Sequence, residues 1–390
     1  MMPLVPGYHY GFAGPIGAHP IARELPPATS HSAGGGAIGT LGEVAAPGDP
    51  DIAELDNSRT YAIRLHRAHP ITSAAVQGAG GQRPYLLISS DDGAATDAAN
   101  AVPADPSAPP AAPPGTRTLR FEGVWVGSAD DRRREFVLER AVNRDNGFDW
   151  DEIVLREATF DPGGVRGDGS EIAPLRLLVR GRVRRLVIEK CIVGPILVEQ
   201  VDDCAESGFV EELVIHDSIV DAQGFDDHMA IDCVTGSVEL QRVTVFGNVD
   251  VALVQASDSI ITGTLSVLNQ QQSCLRFSAV SPGGVLPRSF ESFGPARPSE
   301  GIVETAIARA FFTSLRFGDP GYGLLSLLAP IEIAQGAENG SEMGAFSSLL
   351  RPIRLNSIVS KVDEFKPAGV IAQYMLQGEE APLQPDEEDS

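Results

Sequence analysis

From residue 60 to residue 280, apolar side chains come in brief runs separated by Gly, Pro, Asp and Ser. Tyr61, Ile63 and Leu65 alternate with Ala62, Arg64 and His66, the two-residue period of a strand with one buried face. Similar runs at residues 84–88, 119–126, 136–142, 153–160, 175–179, 186–193, 213–220, 238–246, 253–261 and 265–268 predict further strands, almost all too short for a helix. Four of them read as versions of one another, starting at Leu186, Leu213, Val238 and Leu253, and the first three starts lie 27 and 25 residues apart (213 − 186 and 238 − 213). Each unit reads strand, short polar corner, strand. A unit this short cannot enclose its own apolar face, so it must lie on its neighbour, with equivalent strands paired in parallel along an axis. The expected fold class is all-β: a single-chain right-handed parallel β-helix, or solenoid, with irregular loops. A β-sandwich also uses short strands, but it does not call for similar strand-corner-strand text every 25 residues or so.

The flanks follow other rules. Residues 1–59, rich in Gly, Pro, Ala and His with Gly34, Gly35 and Gly36 in a row, read as a flexible arm. Residues 60–280 form the predicted β-helix, interrupted at about residues 91–116 by a Pro/Ala-rich loop with Pro109, Pro110, Pro113 and Pro114. Residues 281–377 read as a C-terminal capping region. Phe290 and Phe293 are expected to anchor its loops, and Gly318-Asp319-Pro320-Gly321 has the residues of a tight turn. Leu355, Ile358, Val359, Val362 and Phe365 share one helical face that Pro367 and Gly369 terminate. That helix and a strand over residues 370–376 are expected to close the open end of the solenoid. The acidic end, residues 378–390, reads as disordered.

Composition narrows the function. With 30 Lys and Arg against 53 Asp and Glu, the net charge of −23 argues against nucleic acid as a partner. No run approaches a membrane span, so direct membrane insertion is not expected, and no cationic start precedes an apolar segment. Synthesis in the cytoplasm is the expectation, compatible with later release inside an assembled particle. Cys191, Cys204, Cys233 and Cys274 match no metal or redox spacing and read as buried small hydrophobes.

Candidate chemistry is sparse. The densest polar cluster, residues 224–232, carries Asp226, Asp227 and Asp232, which could serve acid/base work on a polysaccharide or hold a cation. The plainer reading is an acidic corner in an acidic protein. Asp202 and Asp203 have no companion segment of a sugar-cleaving site downstream. His216, alone in its strand, reads as a surface residue or one facing the neighbouring strand. The charge run at residues 130–135 reads as a solvated loop tip, and Gly163-Gly164 with Gly167 and Gly169 as a turn rather than a phosphate cradle. Trp125 and Trp150 could stack on a sugar or simply anchor the core. No catalytic, cofactor or metal residue is assigned on the leading reading.

The string Phe312-Thr313-Ser314-Leu315-Arg316-Phe317-Gly318-Asp319-Pro320-Gly321-Tyr322, followed by Gly340-Ser341-Glu342-Met343-Gly344-Ala345-Phe346, resembles a family of bacterial right-handed β-helix proteins associated with phage tail-like contractile injection systems. Residues 256–263, Cys274-Leu275-Arg276-Phe277-Ser278, Pro282-Gly283 and Pro287-Arg288 resemble it too. The resemblance runs from about residue 60 to about residue 376. It implies a non-enzymatic structural component of a tail-like particle, at the baseplate or spike periphery, present in several copies and docked to other subunits. It brings no catalytic residue. The alternative is a glycan-binding or glycan-cleaving β-helix with Asp226, Asp227 and Asp232 as its acids.

Overall fold

The computed structural model describes residues 52–55, 57–65, 73–79, 82–90, 118–128, 134–138, 147–165, 171–201, 207–223, 228–294, 307–318, 321–326 and 328–350. The described chain is mostly β, with parallel sheets curled into a half-barrel. Three parallel ladders organise it. The first joins Ile52–Leu55, Ser73–Gly78, Thr118–Glu122, Trp150–Arg156 and Arg182–Glu189, then the front of Phe209–Asp221 and of Ser237–Phe246, then Val254–Ser257, Cys274–Arg276 and Arg288–Phe290. The second runs beside it, through Tyr85–Ser90, Trp125–Ser128, Thr159–Phe160, Ile192–Val193, the back of the two long strands, Ile260–Ile261 and Ala279–Val280. The third joins Glu135–Leu138, Arg176–Val179, Ile196–Val198, Met229–Cys233, Asn248–Val251 and Leu265–Val267.

Register explains the core. Leu119, Ile153, Leu186, Leu213, Val238 and Val254 are successive partners on the first ladder. Val193, Val220, Val245, Ile261 and Val280 are partners on the second, and Phe136, Leu177, Ile196, Ile231, Val249 and Leu265 on the third. All are buried and belong to one apolar cluster. Parallel pairing in register stacks like side chains, so each rung shields the apolar face of the next.

From Gly123 onward the corner between the first and second ladders is built the same way at eight successive rungs. Gly123, Glu157, Lys190, Asp217, Arg242, Asp258, Phe277 and Glu291 all take positive φ, from 45° to 64°, a conformation unusual for side-chain-bearing residues. Where the next residue is Ser or Cys, its side chain supplies the compensation. Ser218 Oγ accepts the Cys191 N–H at 3.0 Å, Ser259 Oγ that of Val243 at 3.1 Å, and Ser278 Oγ that of Ser259 at 3.1 Å. Each hydroxyl donates in turn to the carbonyl two residues back, on His216, Ser257 and Arg276. Backbone groups that the turn withdraws from the ladder are thus satisfied inside the protein. Cys191 occupies this position as well, its sulfur accepting the Ala158 N–H and donating to the Glu189 carbonyl. It is buried, as expected, but it works as a polar corner residue besides filling space. Burial pushes its thiol up to about 12.

Several expectations change. The Leu186, Leu213 and Val238 starts are true register partners, but the fourth unit begins at Val254, because Val238 pairs Val254 rather than Leu253. Pairing starts at Ile52–Leu55, ahead of Thr60 and inside the expected arm, and continues past residue 280 to Arg288–Phe290. Later rungs are short: corner bonds span 27 residues at Ser218 but 16 and 19 at Ser259 and Ser278, so fewer residues carry the signal. Gly163 and Gly164 lead into an antiparallel hairpin of Gly164–Val165 with Glu171–Ile172. Of the charge run, Arg134 is buried and ion-paired with Asp161, and Glu135 pairs with Arg176, so these two residues are held against the ladder rather than solvated at a tip. Residues 130–133, the Pro/Ala-rich loop, Asp319, Pro320, Cys204, the expected helix and strand over 355–376 and the acidic end lie outside the described residues.

Candidate functional site

The two outer faces of the ladders differ in kind. On the first, Glu122, Arg156, Glu189, His216 and Gln241 form one column of partners, and Glu152, Arg185 and Glu212 another. Arg156 meets Glu189 at 2.9 Å, Arg185 meets Glu212 at 3.1 Å, and His216 Nε2 lies 3.3 Å from Glu239. His216 therefore faces a neighbouring strand, one of the two readings left open for it. Arg242 holds Asp217 through two hydrogen bonds, at 2.6 and 2.9 Å.

On the second face the outward column is Tyr85, Trp125, Thr159, Ile192, Ile219, Thr244, Ile260, Ala279 and Phe293. An apolar column needs a cover, and residues 307–318, 321–326 and 328–350 provide it as a strap. Ile192, Ile219, Phe246, Ile260 and Ala279 form a second apolar cluster with Ile307, Phe312, Tyr322, Leu324, Ile333, Met343, Ala345 and Phe346. Phe312 stacks edge-on against Phe246 at 5.1 Å and Phe317 against Trp125 at 6.3 Å. Trp125 also packs on Tyr85 and beneath the Arg83 guanidinium, and Trp150 lies against the main core, so both tryptophans are packing anchors. Two glycines let the strap approach. Gly323 (φ 70°) would place a Cβ 2.9 Å from Ile219 Cδ1, and Gly344 (φ 90°) one 2.5 Å from Thr244 Oγ1.

Polar contacts fix the strap in place. Thr244 Oγ1 accepts the Ala345 N–H at 3.0 Å, and Asp258 accepts the Glu338 N–H at its carboxylate and the Gly344 N–H at its carbonyl, each at 2.7 Å. Ser281 Oγ accepts the Ile307 N–H at 3.1 Å. The Tyr322 hydroxyl donates to Asp221 Oδ2 at 2.6 Å, deep between ladder and strap. Burial pushes the Asp221 carboxyl up to about 6, against the lowering effect of the Tyr322 and Gln223 donors. Tyr322 is held well above its ordinary value, by burial and by the Asp221 charge.

The acidic cluster divides. Asp226 and Asp227 lie outside the described residues, while Asp232 projects from Met229–Cys233 beside its ladder partner Asp250. Burial, and then the Asp250 charge, raise the Asp232 carboxyl. The structure thus brings Asp232 together with a carboxylate that the sequence reading passed over. Its signal was Asn248–Val251, a strand with one acid in the middle, one rung beyond. Asp202 and Asp203 are outside the described residues. Among the described residues no three of His, Cys, Asp and Glu converge as a metal site, and no helix is long and apolar enough to cross a membrane. No family model, curated protein or solved structure matches the chain.

Proposed function

We propose that the chain is a non-enzymatic structural subunit of a phage tail-like contractile injection particle, acting at the baseplate or spike periphery as a rigid docking scaffold. In this reading the three ladders continue into a single-chain right-handed parallel β-helix, and several copies dock to other subunits around an axis. The carrying observation is that Phe312, Tyr322 and Gly344, within the two strings that bear the family resemblance, pack in the strap: Phe312 on Phe246, Tyr322 on Asp221, Gly344 against Thr244 and Ile260. Motif residues committed to packing suit a scaffold better than a catalyst. Epitope-tagged protein is expected to co-purify stoichiometrically with tube and sheath proteins and to label sheathed tails. Intact particles without it would end the assignment.

A glycan-binding or glycan-cleaving role is favoured by one feature, the Asp232 and Asp250 pair, because a carboxyl raised by burial and by an adjoining carboxylate suits acid/base chemistry. Cleavage of a bacterial polysaccharide that is lost on Asp232→Asn or Asp227→Ala would support that reading over the first.

A further inference from the structure

Strap and ladder meet at two places that carry titratable side chains: Asp258, whose carboxylate accepts the Glu338 N–H, and the directly bonded pair Tyr322 and Asp221. Tyr322 and Asp221 are 1% and 5% exposed, and the hydroxyl donates to Oδ2 at 2.6 Å. Oδ1 accepts the Gln223 N–H at 2.7 Å. On the neighbouring rung Phe246 is the register partner of Asp221, and on the other side Ile192 and Val193 pair with Ile219 and Val220. From the strap, Tyr322 is the titratable group that faces the carboxyl, itself stacked against Phe246 and Phe317. Among the described residues no cationic side chain acts on Asp221. A carboxylate with hydrogen-bond donors but no counter-charge is costly to ionise in such a site.

We propose that Asp221 and Tyr322 form a pH-responsive latch, which holds the strap on the ladder most firmly in mildly acidic solution and opens more often as pH rises toward neutrality. The sign follows from proton linkage. Docked, the carboxyl titrates at about 6, above its ordinary 3.8; released, it is hydrated and returns toward that ordinary value. The docked state therefore holds a proton that the open state gives up. The stabilisation is complete below the lower value, declines as pH climbs between the two, and is spent above about 6. Tyr322 stays protonated throughout, since its hydroxyl is raised well above its ordinary value. The latch does not depend on what particle or substrate the protein serves.

Hydrogen exchange of the full-length protein, corrected for the intrinsic pH dependence, tests it. Amides of residues 321–326 report the strap, and those of residues 183–189 serve as the internal reference. Between pH 5 and pH 7 the strap's opening equilibrium is expected to rise about tenfold relative to the reference. Asp221→Asn is expected to abolish that response. Tyr322→Phe, which removes a donor to the carboxylate, is expected to move its midpoint to higher pH. Histidine titrates in the same range, so His228→Gln, in the adjoining turn, is the control and is expected to keep the response. Equal strap opening at pH 5 and pH 7, a response that survives Asp221→Asn, or a midpoint unmoved by Tyr322→Phe would overturn the proposal.

Discussion

The first and second outer faces share the same long strands, the same parallel hydrogen bonds and a common corner, yet one is charged and the other lies under a strap. Along Phe209–Asp221 the change occurs within a few residues: Glu212 and His216 point out on the first face, Ile219 and Asp221 on the second, with Asp217 turning the chain between them. Backbone pairing builds both faces equally well, so the outer side chains decide what else the molecule needs. Columns of opposite charge satisfy themselves across rungs. A column of Ile192, Ile219, Thr244 and Ile260 leaves apolar area that only more chain, or a partner, can remove from water.

That contrast predicts unequal sensitivity. Ile219→Ala removes a fully buried side chain from beneath Tyr322 and Gly323, and a loss of about 2–5 kcal/mol is expected in chemical denaturation. A loss of only a few tenths would mean that the strap contributes little. Gly344→Ala adds a Cβ in a positive-φ position 2.5 Å from Thr244 Oγ1 and 3.1 Å from Ile260 Cδ1. About 1–3 kcal/mol is expected from strain, together with faster proteolysis of the strap than of the ladders. Arg185→Ala sits at the other extreme. Its contacts with Glu212 and Glu152 are half-exposed, so less than about 1 kcal/mol is expected, shrinking further in high salt. A large effect there would erase the distinction between the faces.

The same contrast sets what could be read from the text. Leu186, Leu213 and Val238 disclosed their register because parallel rungs repeat a pattern at near-constant spacing. Val254 slipped by one because the rung length drops to 16, and a one-residue error costs little in apparent similarity when Leu253 and Val254 are both apolar. The left-handed corner was hidden, since Glu157, Lys190, Asp217 and Arg242 share a conformation but no side-chain chemistry. The strap was not legible at all as a cover. Tyr322 reaches Asp221 and Ala345 reaches Thr244 across 101 residues, with no period to announce either contact. Asp221 does not stand out beside the denser acidic text at residues 224–232, because burial rather than clustering is what changes its chemistry.

Cross-linking from inside the covered face tests the central claim, that the strap lies along the second ladder, most directly. Phe246 stacks on Phe312 at 5.1 Å and lies 6.1 Å from Tyr322. With p-benzoylphenylalanine in its place, irradiation and peptide mapping are predicted to give adducts in the segments bearing Phe312 and Tyr322. Adducts confined to other parts of the chain, with none in the strap, would contradict the account.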